Sequence, residues 1–125
     1  MKTFAKFLVV GGFNTILGLG IIFTLYNLLK LDYRLANLLG YCVVIIISFY
    51  LNKYWTFNSA GNRGREFIWF VFIFVLSYLL NLFTVIGCVE WLKIEPNLSQ
   101  VAGMMTYTLF NFAANKKITF SIKPD

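Results

Sequence analysis

The charged residues of this chain lie in short clusters and leave four long stretches with none. Uncharged windows run between Lys6 and Lys30, Arg34 and Lys53, Glu66 and Glu90, and Glu95 and Lys116; they hold 23, 18, 23 and 20 residues. A hydrocarbon core about 30 Å thick is crossed by roughly 20 apolar residues at about 1.5 Å rise each, so every window has the length of one spanning helix. Four buried helices of a soluble bundle would need polar outer faces. Ile21-Ile22-Phe23 and Val43-Val44-Ile45-Ile46-Ile47 supply none. Composition agrees: 59% of residues are hydrophobic, 13% are charged and mean hydropathy is +0.74, whereas an ordinary soluble domain is about a quarter charged.

The expected architecture is an all-α integral membrane protein with four transmembrane helices in a single domain, residues 1–125. The apolar run after Met1–Lys6 is too long for a secretory leader and lacks a small-residue cleavage site, so it reads as a retained span. Cys42 and Cys88 both fall inside expected spans. Two thiols without a histidine offer neither a disulfide framework nor a metal site, so they read as packing residues and no cofactor is expected.

Orientation follows from the positive flanks, because cytoplasmic segments carry the excess of Lys and Arg. Lys2, Lys6, Lys53, Arg63, Arg65, Lys116, Lys117 and Lys123 fall on one side of the expected spans, and Lys30, Arg34 and Lys93 on the other. Both termini are therefore expected inside. The net charge of +6 then reflects topology and attraction to anionic lipid; no nucleic-acid partner is expected, since the basic residues flank helices.

Shifting the sequence by 63 positions aligns Phe4–Phe57 with Phe67–Phe120 without a gap. Leu29-Lys30 meets Leu92-Lys93, Gly40 meets Gly103, Phe49 meets Phe112, Asn52-Lys53 meets Asn115-Lys116, and Thr56-Phe57 meets Thr119-Phe120. The expected plan is two parallel repeats of a helical hairpin, about 4–57 and 67–120, both entering from the same side.

Polar residues form stripes within the windows. Gln100, Met104, Tyr107, Asn111 and Asn115 recur at helical spacing in helix 4, and Asn37, Tyr41, Val44, Ser48 and Asn52 stand at the matching places in helix 2. Helix 3 has Ser77, Asn81, Thr84 and Cys88, and helix 1 has Asn14 and Gly18. Such residues glue helices together or line a ligand path; Gly11, Thr15 and Gly18 suit the former. Asn52 and Asn115 stand apart, because each opens an Asn-Lys-x-x-Thr-Phe string that gathers an amide, a cation and a hydroxyl at a cytoplasmic helix end. That cluster suits a phosphate carrying a polar head group. An interfacial lysine also snorkels to water or lipid phosphate, which accounts for Lys2 and Lys123. The loop Asn58–Arg65 contains Gly61 and Gly64 but no Gly-Lys-Ser/Thr, so it reads as a flexible basic connection. There is no histidine, and Asp32, Glu66, Glu90, Glu95 and Asp125 read as helix-end or tail residues with no acid pair mid-membrane, so an enzyme is not expected.

Lys6-Phe7-Leu8-Val9-Val10-Gly11 with Asn14-Thr15, Asn52-Lys53-Tyr54-Trp55-Thr56-Phe57, and Asn111-Phe112-Ala113-Ala114-Asn115-Lys116-Lys117-Ile118-Thr119-Phe120 resemble the GtrA family in order and spacing over almost the whole chain. The resemblance implies a flippase of the bacterial cytoplasmic membrane that moves an undecaprenyl-phosphate-linked sugar to the outer leaflet, where a membrane glycosyltransferase uses it for a cell-surface polymer. Lys6 stands where the family often has arginine, which keeps charge but loses bidentate geometry, and Lys117-Ile118 replaces the aromatic Tyr54-Trp55, so the two copies are unequal. On this reading Lys6, Lys53 and Lys116 capture the phosphate, Asn14, Asn52, Asn111 and Asn115 bind sugar hydroxyls, and Trp55 stacks on the sugar or anchors the interface. The alternative is a nontransporting membrane partner that stabilises a glycosyltransferase. Four short helices enclose a sugar phosphate poorly, and two-fold dimers are the commonest symmetric solution, so a homo-oligomer, a dimer, is expected.

Overall fold

The computed structural model describes residues 2–122, so Lys123 and Asp125 of the charge count lie outside the described residues. Four helices follow one another, and each ends in a five-residue π turn. They are α1 (Lys2–Phe23, then the π turn Thr24–Leu28), α2 (Tyr33–Leu51, then Asn52–Thr56), α3 (Arg63–Ile86, then Gly87–Trp91) and α4 (Pro96–Ala114, then Asn115–Thr119). Among the described residues there is no strand.

Three helices with their π turns are long and apolar enough to cross a bilayer: Lys2–Leu28, Tyr33–Thr56 and Arg63–Trp91, of 27, 24 and 29 residues. The fourth is more polar, because Asn97, Ser99, Gln100, Thr106, Thr108 and Asn111 are spread along α4. Four helices are thus present as expected, and three of them meet the requirement for a span. The outward faces of the three are apolar, with Ile16, Leu19, Ile46, Ile68 and Phe83 well exposed. Side chains of this kind are stable in lipid and costly in water.

The chain divides into two compact units, with the break between Ser59 and Ala60. In the first, α1 and α2 run antiparallel. Phe7 near the start of α1 meets Phe57 just past α2, with ring centroids 6.2 Å apart; Asn14 reaches Ser48; and at the far end Gly40 sits so tightly on α1 that a Cβ would stand 2.6 Å from Ile22 Cγ1. In the second unit, α3 and α4 make contacts of the same kind. Phe70 meets Phe120 at 6.0 Å, Ser77 pairs with Asn111, and a Cβ on Gly103 would stand 2.7 Å from Val85 Cγ2. Adding 63 to each number of the first set gives the second.

Local chemistry fixes where the helices start. The side chains of Asp32, Asn62 and Glu95 accept from the backbone N–H of Arg34, Arg65 and Leu98 at 3.1, 3.0 and 3.1 Å, capping α2, α3 and α4. Pro96 adds a preset φ at the first position of α4. Each of the first three π turns is closed by a left-handed residue: Lys30 (φ 59), Asn58 (φ 48) and Lys93 (φ 58). The next residue then donates back across the turn, Leu31 N to Leu25 O (3.1 Å), Ser59 N to Lys53 O (2.8 Å) and Ile94 N to Cys88 O (2.9 Å). A lysine in this conformation costs about 1–2 kcal/mol, which the closing hydrogen bonds offset.

Candidate functional site

In the first unit the relevant groups meet where α1 begins and α2 ends. Asn14 donates through Nδ2 to Ser48 Oγ at 2.7 Å. One turn further along α2, Asn52 folds back on its own helix, and its Nδ2 donates to Ser48 O at 3.0 Å and Ser48 Oγ at 3.2 Å. Ser48 thus gathers both asparagines. Lys53 and Thr56 follow on the π turn and are buried, at 2% and 4% exposure. Lys53 Nζ lies 5.5 Å from the centroid of the Tyr54 ring, which is itself stacked on Tyr50. Lys6, half-buried in α1, holds its ammonium 5.4 Å from the Trp55 ring centroid, within the range of a cation–π contact.

In the second unit the same region is a directed hydrogen-bond chain. Ser77 Oγ donates to Ile73 O at 2.7 Å and accepts from Asn111 Nδ2 at 3.1 Å. Asn115 Nδ2 in turn donates to Asn111 O and Asn111 Oδ1, both at 2.9 Å. Asn115 and Thr119 are fully or almost fully buried. Lys116 is exposed, its ammonium 5.8 Å from the Phe112 ring centroid.

These networks leave a residue of unmet polarity. Asn14 Oδ1, Asn52 Oδ1 and Thr56 Oγ1 in the first unit, and Asn115 Oδ1 and Thr119 Oγ1 in the second, are buried and have no hydrogen-bond partner in the protein. Each such atom costs roughly 1–3 kcal/mol if nothing answers it.

Several of the residues singled out from sequence behave differently from one another. Only part of each polar stripe is buried: Ser48 and Asn52 in α2, Asn111 and Asn115 in α4, and Ser77 in α3, whereas Asn37, Tyr41, Gln100 and Met104 are exposed. Lys53 is enclosed and Lys116 is not, so the two lysines are unequal. The Trp55 face carries the Lys6 ammonium, and both ends of the Asn111 amide are engaged. Cys42 is exposed and Cys88 half-buried, and both are free.

Sequence reasoning missed Glu66, read above as a helix-end acid. It has 0% exposure in the first turn of α3, and a Cβ added at Gly61 would collide with its carboxylate. Its place in the first turn, where an acid favours the helix dipole, gives no sign of that burial. Ser48 and Ser77 stand in the polar stripes without a site role in the sequence reading, whereas Thr56 and Thr119 are the hydroxyls of its Asn-Lys-x-x-Thr-Phe clusters.

The transmembrane-domain model of the GtrA/DPMS family matches residues 6–120. The chain belongs to that family. As a GtrA/DPMS protein it is similar to the cell wall teichoic acid glycosylation protein GtcA of Listeria monocytogenes, with 26% identity over 121 residues, covering 94% of this chain and 83% of the relative. It is also similar to the bactoprenol-linked glucose translocase of Shigella flexneri, at 26% over 124 residues, covering 95% and 92%. The translocase of Salmonella phage P22 shares 28% over 109 residues, covering 86% and 82%. With the family and its three apolar spans, the chain is a multi-pass membrane protein.

The Asn14–Ser48 and Ser77–Asn111 pairs place an amide and a hydroxyl on opposite helices with the two residue types exchanged. Asn14→Ser or Ser48→Asn alone is expected to lower thermal stability in detergent, by about 0.6–1.7 kcal/mol for a lost interhelical hydrogen bond. The double variant Asn14→Ser/Ser48→Asn reproduces the second unit's arrangement and is expected to recover most of the loss. Additive losses in a double-mutant cycle of unfolding temperatures would contradict this coupling.

Proposed function

We propose that this protein is a noncatalytic flippase that carries an undecaprenyl-phosphate-linked sugar from the cytoplasmic to the outer leaflet of the bacterial inner membrane for cell-surface glycosylation. The observation that carries the reading is the Asn-Lys-x-x-Thr end of each unit, where a lysine, enclosed in the first unit and exposed in the second, follows a buried amide oxygen and precedes a buried hydroxyl that have no hydrogen-bond partner in the protein. Phosphate is held by charge-assisted contacts, which Lys6, Lys53 and Lys116 supply. Sugar hydroxyls are held by neutral polar groups, which Asn14, Asn52 and Asn115 supply while Asn111 holds Asn115 in place, with Trp55 against the ring face. The polyprenyl tail stays in lipid. Names of the similar proteins, a glucose translocase and a teichoic acid glycosylation protein, support the same reading.

In this proposal α4 is the fourth crossing, both termini face the cytoplasm, and the chain is two parallel hairpin repeats working as a homodimer beside a membrane glycosyltransferase. The recurrence of helix bounds and of paired contacts at a shift of 63 supports the repeats. For orientation, a cysteine introduced at Asn62 in a Cys42→Ser/Cys88→Ser background is expected to resist an impermeant maleimide in intact cells, while one at Asp32 reacts. Labelling at 62 in intact cells would reverse the topology.

The function is tested with purified protein in liposomes carrying a labelled polyprenyl-phosphate glucose. Passage of label between leaflets, beyond protein-free vesicles, is the expected result. Binding without passage would favour the nontransporting partner of a glycosyltransferase.

A further inference from the structure

The unmet groups have a polarity that the residue names alone do not reveal. Asn52 Nδ2 donates to Ser48 O, and Asn115 Nδ2 donates to Asn111 O. A carbonyl only accepts, so these bonds fix which way each amide faces. Each Nδ2 also reaches a second acceptor on the same residue, Ser48 Oγ and Asn111 Oδ1. What each amide still offers is its oxygen, an acceptor. One helical turn later stand Thr56 Oγ1 and Thr119 Oγ1, buried and also without a protein partner. Residues four apart share a helix face, so in each unit an amide oxygen and a threonine hydroxyl lie on one buried face, a turn apart.

We propose that Asn52 with Thr56, and Asn115 with Thr119, are two hydroxyl-reading subsites, one in each unit, and that Thr56 and Thr119 set head-group specificity. This rests on the flippase reading and divides its chemistry. A phosphodiester oxygen is itself an acceptor, so the amide oxygens repel it and the phosphate is left to the lysines. A ligand hydroxyl donates to the amide oxygen and accepts from the threonine, which satisfies both groups at once. The class selected is a neutral polyol head group with free hydroxyls; a methyl ether at the same carbon keeps the acceptor but cannot donate. Asn111, with both amide ends engaged, is a positioning residue for Asn115. The chain from Ile73 O through Ser77 and Asn111 points every donor away from Asn115 Oδ1 and so sharpens that oxygen as an acceptor.

The test uses the full chain in nanodiscs with polyprenyl-phosphate glucose and its set of mono-O-methyl ethers as probes. Wild type is expected to bind at least one ether about fivefold more weakly than the parent, the size of one net hydrogen bond. The double variant Thr56→Val/Thr119→Val is expected to bind the parent about fivefold or more weakly and to lose that discrimination, whereas Thr56→Ser/Thr119→Ser keeps it. Without ligand, the valine variant is expected to unfold at the wild-type temperature or above, because an unanswered buried hydroxyl has been removed; a purely structural hydroxyl would give the opposite shift. Wild type that binds the parent and every ether alike overturns the subsites and leaves the flippase reading standing, and it does so even if the valine variant does not fold. Wild type that binds no polyprenyl-phosphate glucose overturns both.

Discussion

Replacing Lys53 and Lys116 together by glutamine will abolish transfer of a lipid-linked sugar in proteoliposomes while the protein still reaches the membrane. If these ammonium groups clamp the phosphate, each charge-assisted contact is worth about 1.5–3 kcal/mol, a roughly tenfold to hundredfold loss of binding. The two single variants will not be equal. Lys53 is 2% exposed and Lys116 is open to solvent, and an exposed charge is screened and contributes less. Lys53→Gln should therefore fall near the top of the range and Lys116→Gln at or below its foot. Topology survives in both, because Arg63, Arg65 and Lys117 keep that side positive. Lys53→Arg should recover more transfer than Lys53→Gln. Near-normal transfer by the double glutamine variant, measured against an equal amount of folded protein, would end the phosphate-clamp proposal.

The largest effect on stability is expected at Gly103. A Cβ there would collide with Asn81 Oδ1, stand 2.7 Å from Val85 Cγ2 and 3.1 Å from the backbone oxygen of Asn81. The last of these belongs to α3 itself and cannot rotate away. Gly103→Val should cost about 3 kcal/mol, the upper part of the range for overpacking, and abolish a monodisperse, thermally cooperative protein in detergent. Gly103→Ala should cost less, since alanine recovers about 0.5–1 kcal/mol of helix preference over glycine. The corresponding Gly40→Ala should cost less than Gly103→Val, because the obstruction there is made of Ile22 and Ile21 side-chain atoms and no backbone. It is not free, since Ile22 Cγ1 is held by a β-branched χ1 with one strongly preferred helical rotamer. Unfolding temperatures for the three variants test the order, and a Gly40→Ala loss as large as that of Gly103→Val would refute it.

Much of this architecture is legible in the positions of the charges. Charge-free windows mark four helices, because an ion inside hydrocarbon is costly and the sequence keeps ions to the ends. The paired places of Asn52 and Asn115, or Gly40 and Gly103, show in the shifted sequence because matched polar residues in apolar helices exceed shared composition. Three things were not legible. The π turns differ from α-helix by one residue in the closing hydrogen bond, and Asn-Lys-Tyr-Trp-Thr has no composition that demands one. The enclosure of Glu66 depends on chain geometry near Gly61 and not on its neighbours in sequence. The reach of the polar stripes also escaped notice: helical spacing gave Gln100, Met104, Asn111 and Asn115 one face, but spacing cannot say how far along that face burial extends.

The π turns that end α2 and α4 carry a consequence for length. A turn closed from residue i to i+5, as from Phe57 N to Asn52 O and from Phe120 N to Asn115 O at 2.8 Å, holds one residue more than the α repeat. Deleting a single residue there would close the same turn in α form, one residue shorter, and leave everything beyond it facing nearly the way it does now. Phe57 would still face Phe7, and Phe120 would still face Phe70. These two short segments are therefore where each helix can shed one residue and keep its aromatic latch in register, whereas a deletion within regular α-helix would dial that latch away by about 100°.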